Sequence, residues 1–370
     1  VALRLGLVET AVLGSPAAVA VDGAVHLVRR LGKGSASGLV NAVLRRAVDA
    51  WNRLEENAPP DVLWSHPGWM YRRWCTAFGE DAAREIVRAN QRPASVWVWW
   101  VRDAEDGGGA APSLHVVEPH PWCPGAWRAP GDDALMAAEA AAGRAYVQDP
   151  ASQLVAHLAV ALAGKGSLLD LCAAPGGKAV LAARLGGWSE VIACDLSARR
   201  LALVRRLARL AGVEVDGVVA DATRPAIRQG RAGLVALDAP CSGTGTLRRH
   251  PELRWRLDPG AIPERAGVQR RMIGAALGAV APGGVLLYTT CSLEPEENEE
   301  HFEEVPPGFE IVDLVPFLPP GVPVVGTPAG GLRLYPADHW DGFGLHALRR
   351  VRWSGATTSR NAITDGDTGS

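Results

Sequence analysis

The spacing of apolar residues changes character along this chain. Over residues 1–50, Leu3, Leu7, Val21, Val25, Val28, Leu39, Val43 and Leu44 recur at helical intervals, broken at Gly14-Ser-Pro16 and Gly32-Lys-Gly34. That pattern predicts a small helical bundle, with Arg29, Arg30, Lys33, Arg45 and Arg46 on its solvated side. Helical spacing continues over 51–90, where Ser65-His-Pro67 predicts a capped start ahead of Trp69, Trp74 and Phe78. After Pro93, Val96-Trp-Val-Trp-Trp-Val101 reads as a strand, either buried or offering rings to stacked bases. Residues 103–132, rich in Gly and Pro, read as loop.

From about residue 144 short apolar runs alternate with helical stretches. Leu168–Leu171 precedes a helix from Lys178 to Leu185, Val191–Cys194 precedes a helix over Ala198–Ala211, and Val215–Val219 leads into Asp221. Leu234–Leu237, a helix around 264–280 and Val285–Tyr288 follow. This alternation predicts an α/β domain with a doubly wound, mostly parallel sheet. The polar, small residues from Ser354 to Ser370 read as a disordered tail.

At 370 residues, 48% hydrophobic and 21% charged, the chain has the make-up of a globular protein with two or three domains. No run reaches the ~18 apolar residues of a membrane span, and no export signal opens the chain. It begins at Val1 without an initiator methionine, which reads as a fragment or a lost start. The net charge of −2 leaves nucleic-acid binding to local basic patches. Six well-separated cysteines, with no CxxC pair, predict reduced thiols in the cytoplasm and no zinc site.

Two of those cysteines sit in polar turns directly after apolar runs: Cys241 in Asp238-Ala-Pro-Cys-Ser-Gly-Thr-Gly245, and Cys291 in Tyr288-Thr-Thr-Cys-Ser292. In an open α/β sheet ligands bind outside the carboxyl ends of the strands. A thiol there can become a nucleophile, whereas a lone free cysteine is most often a small buried hydrophobe. Two such turns, with Asp238 three residues before the first, favour chemistry.

Leu169-Asp-Leu-Cys-Ala-Ala-Pro-Gly-Gly-Lys178 predicts a strand, a glycine turn and a helix start. The backbone of such a turn can approach a ligand closely. A P-loop is excluded because Ala179 follows Gly177-Lys178, and Gly176-Gly177 alone is no dinucleotide fingerprint. S-adenosylmethionine fits better, with Cys172, Ala173, Ala174, Pro175, Gly176, Gly177 and Lys178 around its amino-acid end. Asp195 would then meet the ribose and Asp221 the adenine. Lys178 touches the cofactor, organises the site, or is simply the first charge of a helix; the residues leave this open.

With these segments laid out, the chain resembles the bacterial Sun/RsmB family of RNA cytosine-C5 methyltransferases. The resemblance is carried by Tyr146–Gln153, Asp170–Lys178, Asp238–Gly245 and Thr290-Cys-Ser-Leu-Glu-Pro-Glu-Glu-Asn298. Arg249-His-Pro-Glu252, Trp255-Arg256 and Asp341-Gly-Phe343 add to it, and Val40–Arg46 looks like the end of a NusB-like RNA-binding domain. It implies a NusB-like module over 1–55 lacking its first helices, a small subdomain over 56–143, and a Rossmann-like class I methyltransferase domain over 144–352. A tail over 353–370 completes this division. The segment 95–135 departs from the family, with Trp99-Trp100 near where relatives carry an Arg-x-Asn run.

The resemblance implies 5-methylcytidine formation in small-subunit ribosomal RNA, with S-adenosylmethionine as methyl donor and no metal. Cys291 would be the nucleophile, Cys241 would help release the product, and Asp238, which also borders the cofactor, would be the general acid. Arg248, Arg249, His250, Arg254 and Arg256 are candidate RNA contacts beside the first cysteine turn. Arg199, Arg200, Arg205, Arg206 and Arg209 are either RNA contacts or a solvated helix face. Two other readings remain: the same chemistry on transfer RNA or another ribosomal site, or a non-catalytic RNA-binding assembly factor.

Overall fold

The computed structural model describes residues 1–54, 58–101, 117–129, 133–225 and 227–352. The expected tail, and much of the expected loop over 103–132, lie outside the described residues. The chain divides into two compact units, Val1–Arg88 and the remainder from Ala89. The small sheet of the sequence-predicted middle subdomain therefore belongs to the second unit.

In the first unit, helices α1 (Ala2–Ala11), α2 (Ala17–Arg30) and α3 (Ser37–Leu54) bury Val21, Ala24, Val28, Val40 and Leu44. Leu3 and Leu7 pack against that stripe. The helices approach closely at Gly6, where a Cβ would lie 2.7 Å from Leu44 Cδ1. Helices α4 (Pro60–Leu63), α5 (Gly68–Phe78) and α6 (Glu80–Ala89) follow, with Met70, Trp74, Ile86 and Val87 buried. The expected cap at Ser65 does not form. Ser65 takes a left-handed φ of 55° and α5 starts after Pro67 with no side-chain cap.

The second unit opens with a four-stranded antiparallel sheet, ordered β2 (Glu118–Pro119), β3 (Trp127–Arg128), β1 (Val98–Trp100), β4 (Ala145–Val147). Val98 and Trp99 are buried in it, so much of the aromatic strand is core. Helix α7 (Asp133–Ala141) precedes β4. Asp149 then caps α8 (Pro150–Ala163), accepting the Ala151 N–H at 2.9 Å ahead of a proline in the first turn.

The main sheet alternates with helices as the apolar runs predict: β5 (Ser167–Asp170), α9 (Gly177–Leu185), β6 (Glu190–Asp195), α10 (Ala198–Ala211), β7 (Asp216–Val219) and β8 (Ala232–Asp238). Helices α11 (Leu253–Arg256) and α12 (Ala261–Ala279) lead into β9 (Val280–Thr290). The parallel strands run in the order β9-β8-β5-β6-β7. The winding reverses between β5 and β8, so the crevice for a ligand opens at their carboxyl ends. Beyond β9 the sheet turns antiparallel through β13 (Phe343–Arg350), β12 (Leu332–Leu334) and β11 (Val325–Gly326), with β10 (Phe309–Ile311) also on β13. Among the described residues no helix is long and apolar enough to cross a membrane.

Candidate active site

Acidic and sulfur side chains collect along the carboxyl edge of the parallel strands. Asp170 ends β5, Asp195 ends β6, Asp238 ends β8 and Cys291 follows β9, while Asp221 lies two residues past β7. Between β5 and α9 the turn passes through a cis Ala174–Pro175 bond to Gly176 at φ 115°. A Cβ on Gly176 would stand 3.0 Å from the Val204 backbone, so only glycine fits both the conformation and the space. Helix α9 has no side-chain cap, which leaves its first N–H groups to a ligand.

A cavity of about 220 Å³ opens beside that turn, lined by Tyr146, Gln148, Asp170, Cys172–Pro175, Gly177, Lys178 and Asp238. Asp195 is buried; its carboxylate accepts the Ser197 N–H at 2.9 Å and pairs with Arg200 at 3.4 Å. Asp221 is exposed and accepts from the Thr223 N–H and hydroxyl, which lower its pKa. An N-terminal helix turn with acids on successive strands fits the amino-acid end and hydroxyls of S-adenosylmethionine. Asp170 is buried at the cavity floor. Burial and then the Asp238 charge push its carboxyl up to about 7.

Lys178 reaches back over this cavity to donate to Asp238 Oδ2 at 2.7 Å, and the Thr289 hydroxyl donates to Oδ1 at 2.9 Å. Burial works against the Lys178 charge, but the Asp238 charge and hydrogen bond outweigh it and hold the ammonium above its ordinary range. The two sulfurs complete the group, with Cys241 Sγ 3.4 Å from Cys291 Sγ and both residues half-buried. Cys241 is held well above an ordinary thiol, first by its bond to Cys291, then by burial and nearby negative charge. Burial likewise pushes the Cys172 thiol up. It lines the cavity as a neutral group.

Residues 157–349 match the model of the 16S rRNA methyltransferase RsmB/F family, and residues 1–49 match that of the NusB family. A ribosomal RNA small subunit methyltransferase B of Thermus thermophilus is 36% identical over 355 residues, covering 94% of this chain and 79% of that relative. The chain belongs to the RsmB/F family of 16S rRNA methyltransferases.

A Cronobacter sakazakii protein of the same name is 34% identical, covering 76% of this chain and 66% of its own length. Among solved structures, one titled PH0851 superposes with a TM-score of 0.70 at 26% identity, covering 94% of this chain and 82% of the other. A Pyrococcus horikoshii NSun6 structure solved with SFG has a TM-score of 0.62 at 20% identity, covering 77% of this chain and 98% of the other. That likeness shows the fold.

The arginines expected at the mouth of this RsmB/F site divide in two. Arg249 donates to Asp341 at 2.8 Å, to Asp149 at 2.5 Å and to the Ser95 carbonyl at 3.1 Å. Arg248 and Arg254 are buried, bonded to the carbonyls of Ala337 and of Asn90 and Leu247. These three guanidiniums bind the protein to itself: the chain returns over Arg249 and Arg248 at Asp341 and Ala337, and Arg254 reaches back to Asn90. His250, Trp255 and Arg256 stay exposed. So do the α10 arginines, although Arg200 also bonds the Ala174 carbonyl and Arg205 the Gly217 carbonyl.

Several site residues escaped the sequence reading. Tyr146 and Gln148 lie in a segment that carries the resemblance and Thr289 in the second cysteine turn, but none was named as a site residue; the way β4 and β9 are placed brings them to the cavity and to Asp238. Among the described residues no cluster of His, Cys, Asp and Glu could hold a metal ion.

Proposed function

We propose that this protein transfers a methyl group from S-adenosylmethionine to carbon-5 of a cytosine in small-subunit ribosomal RNA, in the cytoplasm. The observation that carries the reading is the pair of thiols 3.4 Å apart at two strand ends, beside the Lys178–Asp238 pair. A simple methyl transfer to an oxygen or nitrogen has no use for two adjacent sulfurs. Carbon-5 of cytosine, by contrast, is a poor nucleophile until a thiolate adds at carbon-6.

In this reading Cys291 forms the bond to carbon-6, a role assigned by the family resemblance. Asp238, oriented by Thr289 and Lys178, takes up the charge at N3 by sharing a proton with the base, and the Lys178 ammonium bonded to Oδ2 is the group that can supply that proton. The cofactor supplies an electrophilic methyl on its sulfonium. The turn at 172–178 would hold its amino-acid end, with Asp195 and Asp221 on its ribose and adenine. Cys241 then serves the release step: its thiol, hydrogen-bonded to Cys291, passes its proton to that departing sulfur and takes the carbon-5 proton, while the carbon-5–hydrogen electrons restore the ring double bond and the Cys291–carbon-6 bond breaks. His250 and Arg256 are the exposed members of the basic group and would meet RNA phosphates.

The test is transfer of labelled methyl to 16S rRNA by the purified protein, followed by mapping of the modified base. Label in 5-methylcytidine is the expected result. Label on another atom, or on transfer RNA alone, overturns the reading.

A further inference from the structure

We propose that Glu297 is the positioning residue that locks the two cysteine turns to one another and sets the spacing of their sulfurs. The inference rests on the cysteine chemistry proposed above and adds a residue that touches neither sulfur. Ser242 directly follows Cys241, and Ser292 directly follows Cys291. Their hydroxyl oxygens are 3.0 Å apart. Glu297 is fully buried, and its carboxylate accepts the Ser242 N–H at 2.9 Å, the Ser242 hydroxyl, and Gln269 Nε2 at 3.2 Å. The same Gln269 nitrogen donates to the carbonyl of Pro240 at 2.9 Å, so Cys241 is gripped on both flanks. Tyr288, on the strand leading to Cys291, donates its hydroxyl to the Glu297 carbonyl at 2.8 Å.

A carboxylate can only accept, and this fixes the direction of every hydroxyl behind it. The Ser242 proton is committed to Glu297, so at the serine–serine contact Ser292 must donate. With the one Ser292 hydroxyl proton spent on Ser242, Thr244 Oγ1, which accepts the Leu293 N–H at 2.9 Å, must donate to Ser292, 3.3 Å away. The chain Thr244, Ser292, Ser242, Glu297 thus runs one way through both turns. Glutamine at 297 has one acceptor oxygen for three donors, and its own N–H groups would face Ser242 or Gln269.

The carboxylate partners are all neutral, although burying an unpaired charge is costly. A neutral acceptor would suffice for packing alone. The charge has a second effect at the adjacent sulfur, where it adds to the forces keeping Cys241 protonated.

The experiment compares wild type, Glu297→Gln and Ser242→Ala as full chains, with thermal unfolding to establish that each folds. Site-resolved iodoacetamide alkylation of Cys241 is followed against pH, and kcat and KM are measured with 16S rRNA. In Glu297→Gln the alkylation midpoint should move down, because one of the negative charges that raise it is gone. Its kcat should fall ~10–100-fold with KM nearly unchanged, as for slight misplacement of reacting groups. The double variant should lose little more than either single one, because the two residues act as one unit. An unmoved midpoint with wild-type kcat, or losses that multiply in the double variant, overturns the proposal. Where Glu297→Gln does not fold, Ser242→Ala carries the same kinetic test. If wild type makes no 5-methylcytidine while the midpoint still shifts, the proposed function falls and the positioning role stands.

Discussion

Cys241 and Cys291 stand on turns after neighbouring parallel strands, yet their sulfurs meet at 3.4 Å. In the proposed reaction both thiols act on one base, so their variants should separate bond making from bond breaking. Cys291→Ala should abolish both methyl transfer and any covalent RNA adduct. Cys241→Ala should accumulate a slow-migrating, RNA-linked species on a denaturing gel, since a step that only breaks the adduct is not needed to form it. An adduct in Cys291→Ala and none in Cys241→Ala would exchange the two roles.

Asp238 takes a proton-bearing partner on each oxygen, Lys178 at 2.7 Å and Thr289 at 2.9 Å. Asp238→Asn keeps the shape and loses the acid. Single-turnover methyl transfer should slow by ~10²–10⁴-fold, the usual share of a general acid. A rate within a fewfold of wild type would remove Asp238 from that role.

Asp195 is buried at the end of β6 and proposed to hold the ribose. Asp195→Ala should weaken S-adenosylmethionine binding by ~1–3 kcal/mol, the range for a lost buried partner. Calorimetric titration measures this directly. Wild-type affinity would take the ribose away from Asp195.

The arginines beside Cys241 should split by experiment as they do by geometry. Arg249→Ala strands the buried carboxylates of Asp149 and Asp341, and should cost ~3–5 kcal/mol in denaturant unfolding. Arg256→Ala, on an exposed residue, should leave stability alone and reduce the salt slope of RNA binding by about 1. A destabilised Arg256→Ala, or a wild-type midpoint for Arg249→Ala, would contradict the division.

Asp170 keeps its proton in the folded protein up to about pH 7, whereas an unfolded aspartate releases it near pH ~4. Between these values the folded state binds more protons, so stability falls as pH rises through the window. Asp170→Asn removes that loss and can still accept the Cys172 N–H. The variant should be more stable than wild type in melts above neutral pH, with the gain vanishing toward about pH 4. A gain independent of pH would show that Asp170 is already ionised.

The alternation of apolar runs made the parallel half of the sheet legible, because buried parallel strands are nearly continuous in Val, Leu and Ile. The cysteine turns and the glycine turn were legible for the same reason, as each interrupts such a run. The antiparallel strands β10 to β13 were not. Leu332–Leu334 and Val325–Gly326 are too short to show a period, and Phe343–Arg350 mixes Gly, His and Arg with its apolar residues. The inward turn of Arg248, Arg249 and Arg254 was hidden as well, since their partners Asp149, Asp341, Ala337 and Asn90 lie far away in sequence. The Glu297 network lay inside a motif whose letters were read, but its geometry depends on how two turns dock.

Strand β9, which delivers Cys291, is paired on one side by β8 and on the other by β13. During synthesis β8 and β9 emerge first, and until residues 343–350 are made β9 is an open edge. Asp341, which closes on Arg249, arrives with that same segment. A chain still being translated therefore lacks both the β13 partner of the strand that carries Cys291 and the carboxylate that closes on Arg249.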